Sequence, residues 1–266
     1  MLQKSKESSL SVAIRETMIS SELKSAFPKK NEAPQFTIKI ANTLEEREAV
    51  FHLGYQVYLE KGYIKENPNQ WMVQNYDAMS QTTILIVQDK NKKLAGSLTL
   101  VFEENGKLPV EKIYSEETKV IRTAGNKIME TSRLVISQEY RNEKEVLQLL
   151  LNYMLIYTHY VKGYTSMLIQ VNPRHKTYYK SLLKYDEIGE EKSCPTVQNA
   201  PAVLLHLPIE RYQSEINRYA NNFDSSKKER SLYPFFLKPE QEKLVAHYLK
   251  NQFKPMTTEE KTYFGF

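Results

Sequence analysis

Cys194 is the only cysteine in this chain of 266 residues, so no intramolecular disulfide can brace the fold. A lone thiol suits a reducing compartment and cysteine-poor surroundings equally, and the cytoplasm is the default expectation. No apolar run approaches the roughly 20 residues that cross a bilayer, and the first residues lack the continuous apolar core of a signal peptide. A soluble protein with no transmembrane segment is therefore expected. No set of His, Cys or carboxylate residues has metal-ligand spacing, so no metal site is expected. Charge of one sign is also scarce. The 37 Lys and Arg exceed the 32 Asp and Glu by only +5, and the bases are interleaved with acids. That balance favours an acidic partner only weakly and does not point to nucleic acid.

What is present is ordinary globular material, with 41% hydrophobic and 26% charged residues. The length suits one large domain with extensions or two small ones. Residues 1–33 are polar and lysine-rich, with a short amphipathic stretch around Val12 to Leu23, and read as a flexible or partly helical arm. The folded unit begins with the alternating strand pattern FTIKIA (36–41). Thr43 and Glu46 then form a capping box, followed by the apolar helical positions Val50, Leu53, Val57 and Tyr58. KENPNQWMVQNYDAMS reads as a long loop or short helix, of the kind that often carries function. TILIVQ (83–88) and LAGSLTLVFE (94–103) flank a turn-rich spacer and predict a hairpin; IMETSRLVIS (128–137) follows a polar connection as a third strand. Val146, Leu150, Tyr153, Met154 and Tyr157 mark a helix ending at Gly163, and TSMLIQV (165–171) is a nearly continuous apolar run, as in a buried strand. VNPRHKTYYKSLLKY then turns on Asn172 and Pro173 into another helix, and APAVLLHLPI (200–209) is a last strong strand. Residues 211–266 carry two helical patterns, around Tyr212 to Phe223 and Glu240 to Tyr248. This alternation predicts an α/β (α+β) fold: a mixed sheet of about six or seven strands flanked by helices, with a helical C-terminal extension.

The same element order resembles the GNAT acyltransferase fold, and particular residues carry the likeness. Asn172, His175 and Tyr179 fall at the first three positions of a phrase that GNAT proteins place after their fifth strand, with Tyr185 near its aromatic end. Arg141 stands where the family begins its pyrophosphate loop, but Lys144 and Val146 occupy the glycine positions that let backbone N–H groups approach phosphates. The resemblance thus implies a donor other than acetyl-CoA. Arg47 and Phe51, Tyr76 and Asp77, and Glu130, Ser132 and Arg133 fall where acyl-homoserine-lactone synthases, which accept acyl groups from acyl carrier protein, have their motifs. The C-terminal half, including the CP and APA pieces around Cys194 and Ala200, resembles bacterial N-acyl amino acid synthases of the long-chain N-acyl tyrosine type. The resemblance covers about residues 36–210, and residues 34–210 are taken as the acyltransferase domain.

This resemblance implies transfer of a long acyl chain from acyl carrier protein to the amine of an amino acid, possibly tyrosine, with no tightly bound cofactor. The acyl carrier thioester is a co-substrate and the carrier a partner. Glu130 is the candidate base for the amine. On a regular strand Glu130 and Ser132 share one face, Thr131 and Arg133 the other. Arg133 can pair with the acceptor's carboxylate or with a structural partner such as Asp77. A backbone N–H after Arg133 is the expected oxyanion donor. Tyr179 is the candidate acid for the pantetheine sulfur; Arg47, Phe51, Asp77, Ser132 and Arg133 are candidate substrate-binding residues, and Arg141, Lys144, Asn172 and Lys180 candidate carrier or pantetheine ligands. Arg174, Lys176 and Lys184 add to a basic face at two helix starts that could steer an acidic carrier. His175 reads as a surface residue, and Cys194 as a buried small side chain. Two other readings stay open: an acyl-homoserine-lactone synthase that binds S-adenosylmethionine, with Tyr58 where that family has Trp, and a non-catalytic acyl-binding or regulatory module.

Overall fold

Among the described residues, six largely apolar segments and one charged edge segment pair into one sheet in the order β1-β2-β3-β4-β5-β7-β6. They are β1 (Phe36–Ile40), β2 (Thr83–Asp89), β3 (Leu94–Phe102), β4 (Ile128–Ile136), β5 (Ser166–Val171), β6 (Asp186–Cys194) and β7 (Ala200–Pro208). Every neighbouring pair is antiparallel except β4 and β5, which run parallel. The structure, a computed structural model, describes residues 35–103, 107–224 and 228–266. The arm expected over 1–33 lies outside the described residues.

Helices cover both faces. On one lie α1 (Leu44–Glu60) and α2 (Glu111–Thr123); Phe51 of α1 packs with Ile84 and Ile86, and Tyr114 of α2 with Val101, Leu168 and Leu204. The other face carries α3 (Lys144–Ile156), α4 (Pro173–Leu183), α5 (Ile209–Tyr219) and α6 (Pro239–Lys250). Their buried faces meet Leu98, Leu100, Met167, Ile169 and Leu205 in the largest core cluster. α7 (Thr258–Phe264) returns to the first face, where Phe264 stands edge-on to Phe51 at 4.8 Å. The capping box of α1 is formed: Glu46 N–H donates to Thr43 Oγ1 at 3.3 Å, and Thr43 N–H to Glu46 Oε2 at 3.4 Å.

Three elements depart from the sequence reading, one of them α7, a third helix where residues 211–266 offered two helical patterns. The polar connection before β4 contains α2, whose narrow apolar stripe of Tyr114, Thr118 and Ile121 is outnumbered by charge. DEIGEEKSC forms β6, an edge strand whose exposed charges hide its pairing with β7. Tyr114 joins α2 to β6: its hydroxyl donates to the carbonyls of Ala202 (2.6 Å) and Glu190 (2.9 Å). Gly189 makes the approach possible, since a Cβ there would lie 2.7 Å from the Tyr114 ring and 2.8 Å from Leu204 Cβ. Gly189→Ala is expected to destabilise by about 1–3 kcal/mol through overpacking, measured as a shift in denaturant midpoint.

The C-terminal helices complete the main core rather than trailing from it. Tyr212, Phe236, Val245 and Leu249 are buried in the same cluster as α3. Glu242 of α6 is buried too, accepting hydrogen bonds from Tyr212 Oη and, at 3.4 Å, Asn152 Nδ2. Burial pushes its pKa up to about 7. The folded state therefore binds this proton more tightly than the unfolded chain. The stability it gives is complete below the unfolded value of 4.5 and falls as pH rises toward 7. Glu242→Gln, which stays neutral, is expected to flatten that part of the stability–pH curve, a change on the order of 3 kcal/mol. Thermal unfolding between pH 4.5 and 8 would measure it.

Candidate active site

β4 and β5 share a ladder only from Ile128↔Ser166 to Thr131↔Ile169. Beyond it, Ser132, Arg133, Leu134 and Ile136 of β4 and Gln170 and Val171 of β5 line a cavity of about 800 Å³. A bulge lies at the point where the ladder stops. Ser97 pairs with Val135 but Thr99 with Ser132, so one extra residue sits on β4 and Arg133 takes φ +46°. The bulge turns β4 away from β5 and leaves main-chain groups along the cleft without a strand partner, as an oxyanion donor requires.

That bulge corrects the expected alternation. Thr131 faces α3, its hydroxyl 3.3 Å from Met154 Sδ. Arg133 does not share that face. The extra residue rotates it to the side of Ser132, where its guanidinium donates to Thr99 Oγ1 (3.1 Å), the Met72 carbonyl (2.8 Å) and both carboxylate oxygens of Asp77. It lies between the rings of Phe51 and Tyr76, 5.4 and 5.2 Å from their centroids. Burial works against the guanidinium charge, but the Asp77 carboxylate holds its pKa above the ordinary arginine value. Of the two partners open to Arg133, the structural one is occupied.

Glu130 lies on the same face of β4, only 4% exposed and on the cavity wall. Its Oε2 accepts the Val110 N–H at 2.7 Å, and no other hydrogen bond reaches the carboxylate among the described residues. Burial, with some help from Glu111, pushes its pKa up to about 8. A carboxyl so placed is poised to exchange a proton near neutral pH. Beside it Ser132 Oγ is 3.0 Å from Tyr76 Oη.

Across the cleft, Tyr179 of α4 is half-buried on the cavity wall, and burial raises its phenol well above the ordinary value. Asn172 caps α4, its Oδ1 accepting the Arg174 N–H at 3.2 Å. Leu147, Leu151 and Met154 present the apolar stripe of α3 to the same cavity. The site thus has a polar side under α1 and α2 and an apolar side over α3.

Other expected residues stand elsewhere. Arg47 is bonded to Glu260 and, at 2.8 Å, to the Lys254 carbonyl, tying α1 to the C-terminal segment away from the cavity. Phe51 and Asp77 stand behind Arg133 and do not line the cavity. Lys180 does not line it either, lying 3.8 Å from Glu187, which Lys176 also meets at 3.0 Å. Lys184 pairs with Glu229 at 2.7 Å and Arg141 with Glu60 at 2.6 Å. Much of the basic face is therefore compensated locally, while Arg141 and Lys144 do line the cavity. Cys194 is buried on the cavity wall, where Gln170 Nε2 donates to its sulfur at 2.8 Å. Sequence reasoning missed Gln170 and the main chain of Val110, whose contribution has no side-chain signal. Among the described residues no cluster could hold a metal ion, and no helix is long and apolar enough to cross a membrane.

Comparison with known proteins bears on this cleft. Residues 49–208, which contain the whole β4–β5 wedge, match the family N-acyl amino acid synthase FeeM. The chain belongs to that family. It is an acyltransferase of the N-acyl amino acid synthase type with a GNAT fold. Among solved structures it resembles FeeM, an N-acyl amino acid synthase from uncultured soil microbes, at 24% identity and TM-score 0.59 over 68% of this chain and 94% of that one. It also resembles BjaI, a CoA-dependent acyl-homoserine lactone synthase, at 14% identity and TM-score 0.52 over 69% and 89%. The AHL synthase LasI follows at 14% identity and TM-score 0.50 over 65% and 90%. At these identities the structural likenesses speak for the fold alone. No curated protein matches the chain.

Proposed function

We propose that this member of the family moves a long-chain acyl group from the phosphopantetheine thioester of acyl carrier protein to the amine of an amino acid, tyrosine being one candidate. The observation that carries this reading is Glu130: a carboxyl with a pKa near 8, held by one N–H, on the wall of a cleft that opens beside unpaired strand edges. The amine loses a proton to Glu130 and its nitrogen attacks the thioester carbon. The carbonyl oxygen, now negative, is held by main-chain N–H after Arg133. The C–S bond then breaks, the pantetheine thiolate leaves, and the nitrogen, positive after its attack, gives its second proton to water as the amide forms. Tyr179 hydrogen-bonds that sulfur. Its raised phenol pKa lies above the roughly 8.5 of a thiol, so it stabilises the thiolate without giving up its proton. Ser132 orients Tyr76 beside the acceptor, and Arg133, locked by Asp77, holds the bulge.

Acyl carrier protein is favoured as donor because a coenzyme A pyrophosphate needs main-chain approach at the start of α3. There Val146 is buried with its Cγ1 3.0 Å from where a Cβ on Gly96 would stand, and Lys144 projects where a glycine is needed. A carrier presents a single phosphate, which Arg141 and Lys144 can meet. The apolar stripe of α3 suits a long chain. The catalytic unit in this reading is residues 34–210, with 211–266 as a helical extension, and a cytoplasmic location keeps Cys194 reduced.

Purified protein incubated with acyl carrier thioesters of several lengths, the matching acyl-CoA thioesters, all common amino acids and S-adenosylmethionine is expected to form one class of N-acyl amino acid, detected by mass spectrometry. An acyl-homoserine lactone, or no product from verified substrates, would overturn the reading.

A further inference from the structure

Among the described residues, five cationic side chains line the cavity, and their partners differ. Arg133 is neutralised by Asp77, while Arg141 and Lys61 both meet Glu60, at 2.6 and 3.5 Å. Lys144 projects from the start of α3 with no contact that positions it among the described residues. Arg174 differs from all four. Its Nη2 donates to Tyr63 Oη at 2.9 Å, its Nε donates to His175 Nε2 at 3.1 Å, and its guanidinium lies 6.0 Å from the centre of the Tyr63 ring. No acidic group pairs with it among the described residues, so this guanidinium is oriented yet carries an uncompensated charge. Burial, with Arg174 itself, lowers the pKa of His175, which keeps that ring neutral and able to accept. Tyr63 in turn stands edge-on to Tyr58 at 5.8 Å, and Tyr58 and Tyr76 continue the cavity wall inward toward Ser132.

We propose that Arg174 is the oxyanion-binding residue at the mouth of this cavity, with Tyr63 as its positioning residue. A planar guanidinium with fixed orientation and no anion of its own matches a two-oxygen acceptor, which it binds through paired N–H groups. Two such groups belong to the substrates of the acyl-transfer reading, on which this inference rests: the carboxylate of the amino acid and the phosphate of the phosphopantetheine arm.

The test uses the full chain, as wild type, Arg174→Gln and Tyr63→Phe. Each is assayed with an amino acid and its carboxamide, and with an acyl carrier thioester and the phosphate-free acyl N-acetylcysteamine thioester. Arg174→Gln is expected to raise KM roughly ten-fold or more for one anionic substrate and to leave its neutral counterpart unchanged, as loss of a charge-assisted contact requires. A selective effect on the amino acid assigns the site to the carboxylate, and one on the carrier thioester assigns it to phosphate. Tyr63→Phe should move the same KM by less and leave kcat unchanged. Equal changes within both pairs, or none, would overturn the proposal. If wild type forms no product, the acyl-transfer reading fails. Calorimetric titration of phosphopantetheine and of the amino acid then decides Arg174 separately, binding that persists unchanged in Arg174→Gln counting against it.

Discussion

Glu130→Gln is expected to lower kcat/KM roughly 100- to 10,000-fold, the range in which general-base catalysis contributes. The carboxamide keeps the shape of the side chain and can still accept the Val110 N–H, so the cavity wall should stand. It cannot take a proton from the amine. Because burial pushes this carboxyl up to about 8, only about one molecule in ten carries the ionised base at pH 7. Wild-type kcat/KM, which reports groups of the free enzyme, should therefore rise with pH and level off above about 8. The variant should lack that inflection while keeping any contributed by the substrate amine. Stability separates the effects. The folded state prefers the protonated form, so Glu130 gives most stability below its unfolded pKa and loses it as pH rises toward 8. Glu130→Gln should then unfold at the same temperature as wild type or a higher one at pH 8. An unchanged rate in a folded variant would remove Glu130 from the mechanism.

Asp77→Ala is expected to destabilise the fold by about 3–5 kcal/mol, the usual consequence of removing one member of a buried ion pair. Arg133 would stay 5% exposed between two aromatic rings, with its charge opposed only by the Met72 carbonyl and the Thr99 hydroxyl. Denaturant titration measures the loss. The double variant Asp77→Leu with Arg133→Met should recover much of that stability, because a buried pair can be replaced by packed apolar groups at little loss. Activity should not return with it. Arg133 holds the φ +46° bulge in place, and that bulge separates β4 from β5. Recovery of both stability and turnover would show that the pair contributes folding energy alone.

The Glu-x-Ser-Arg phrase, the Tyr76–Asp77 pair and the turn at Asn172 and Pro173 were all legible because each depends on residue type at fixed spacing. Strands β2, β3, β5 and β7 were legible for the same reason, since their faces are buried and their sequences continuously apolar. β6 and α2 were not. Both sit at the rim with much of their surface in water, so charge masks their period. The basic face was visible as composition, but composition does not reveal that Glu187 folds back from the next strand and that Glu229 and Glu60 return from distant segments to neutralise it. Arg47 matched a motif position, and only the returning C-terminal segment with Glu260 accounts for where its charge goes.

The sequence by itself determined the order of the strands and helices other than α2, α7 and β6, the absence of a glycine loop for pyrophosphate, and the identity of the carboxyl, phenol and guanidinium groups available for chemistry. These follow from local periodicity and residue type. Tertiary structure decided which of those groups meet. It rotated Arg133 onto the face of Ser132 through one inserted residue and bound it to Asp77 rather than to substrate. It stopped the β4–β5 ladder at Thr131 and Ile169, and it dried Glu130 until its pKa approached 8. Register, burial and charge pairing depend on segments far apart in the chain, so no local pattern can encode them.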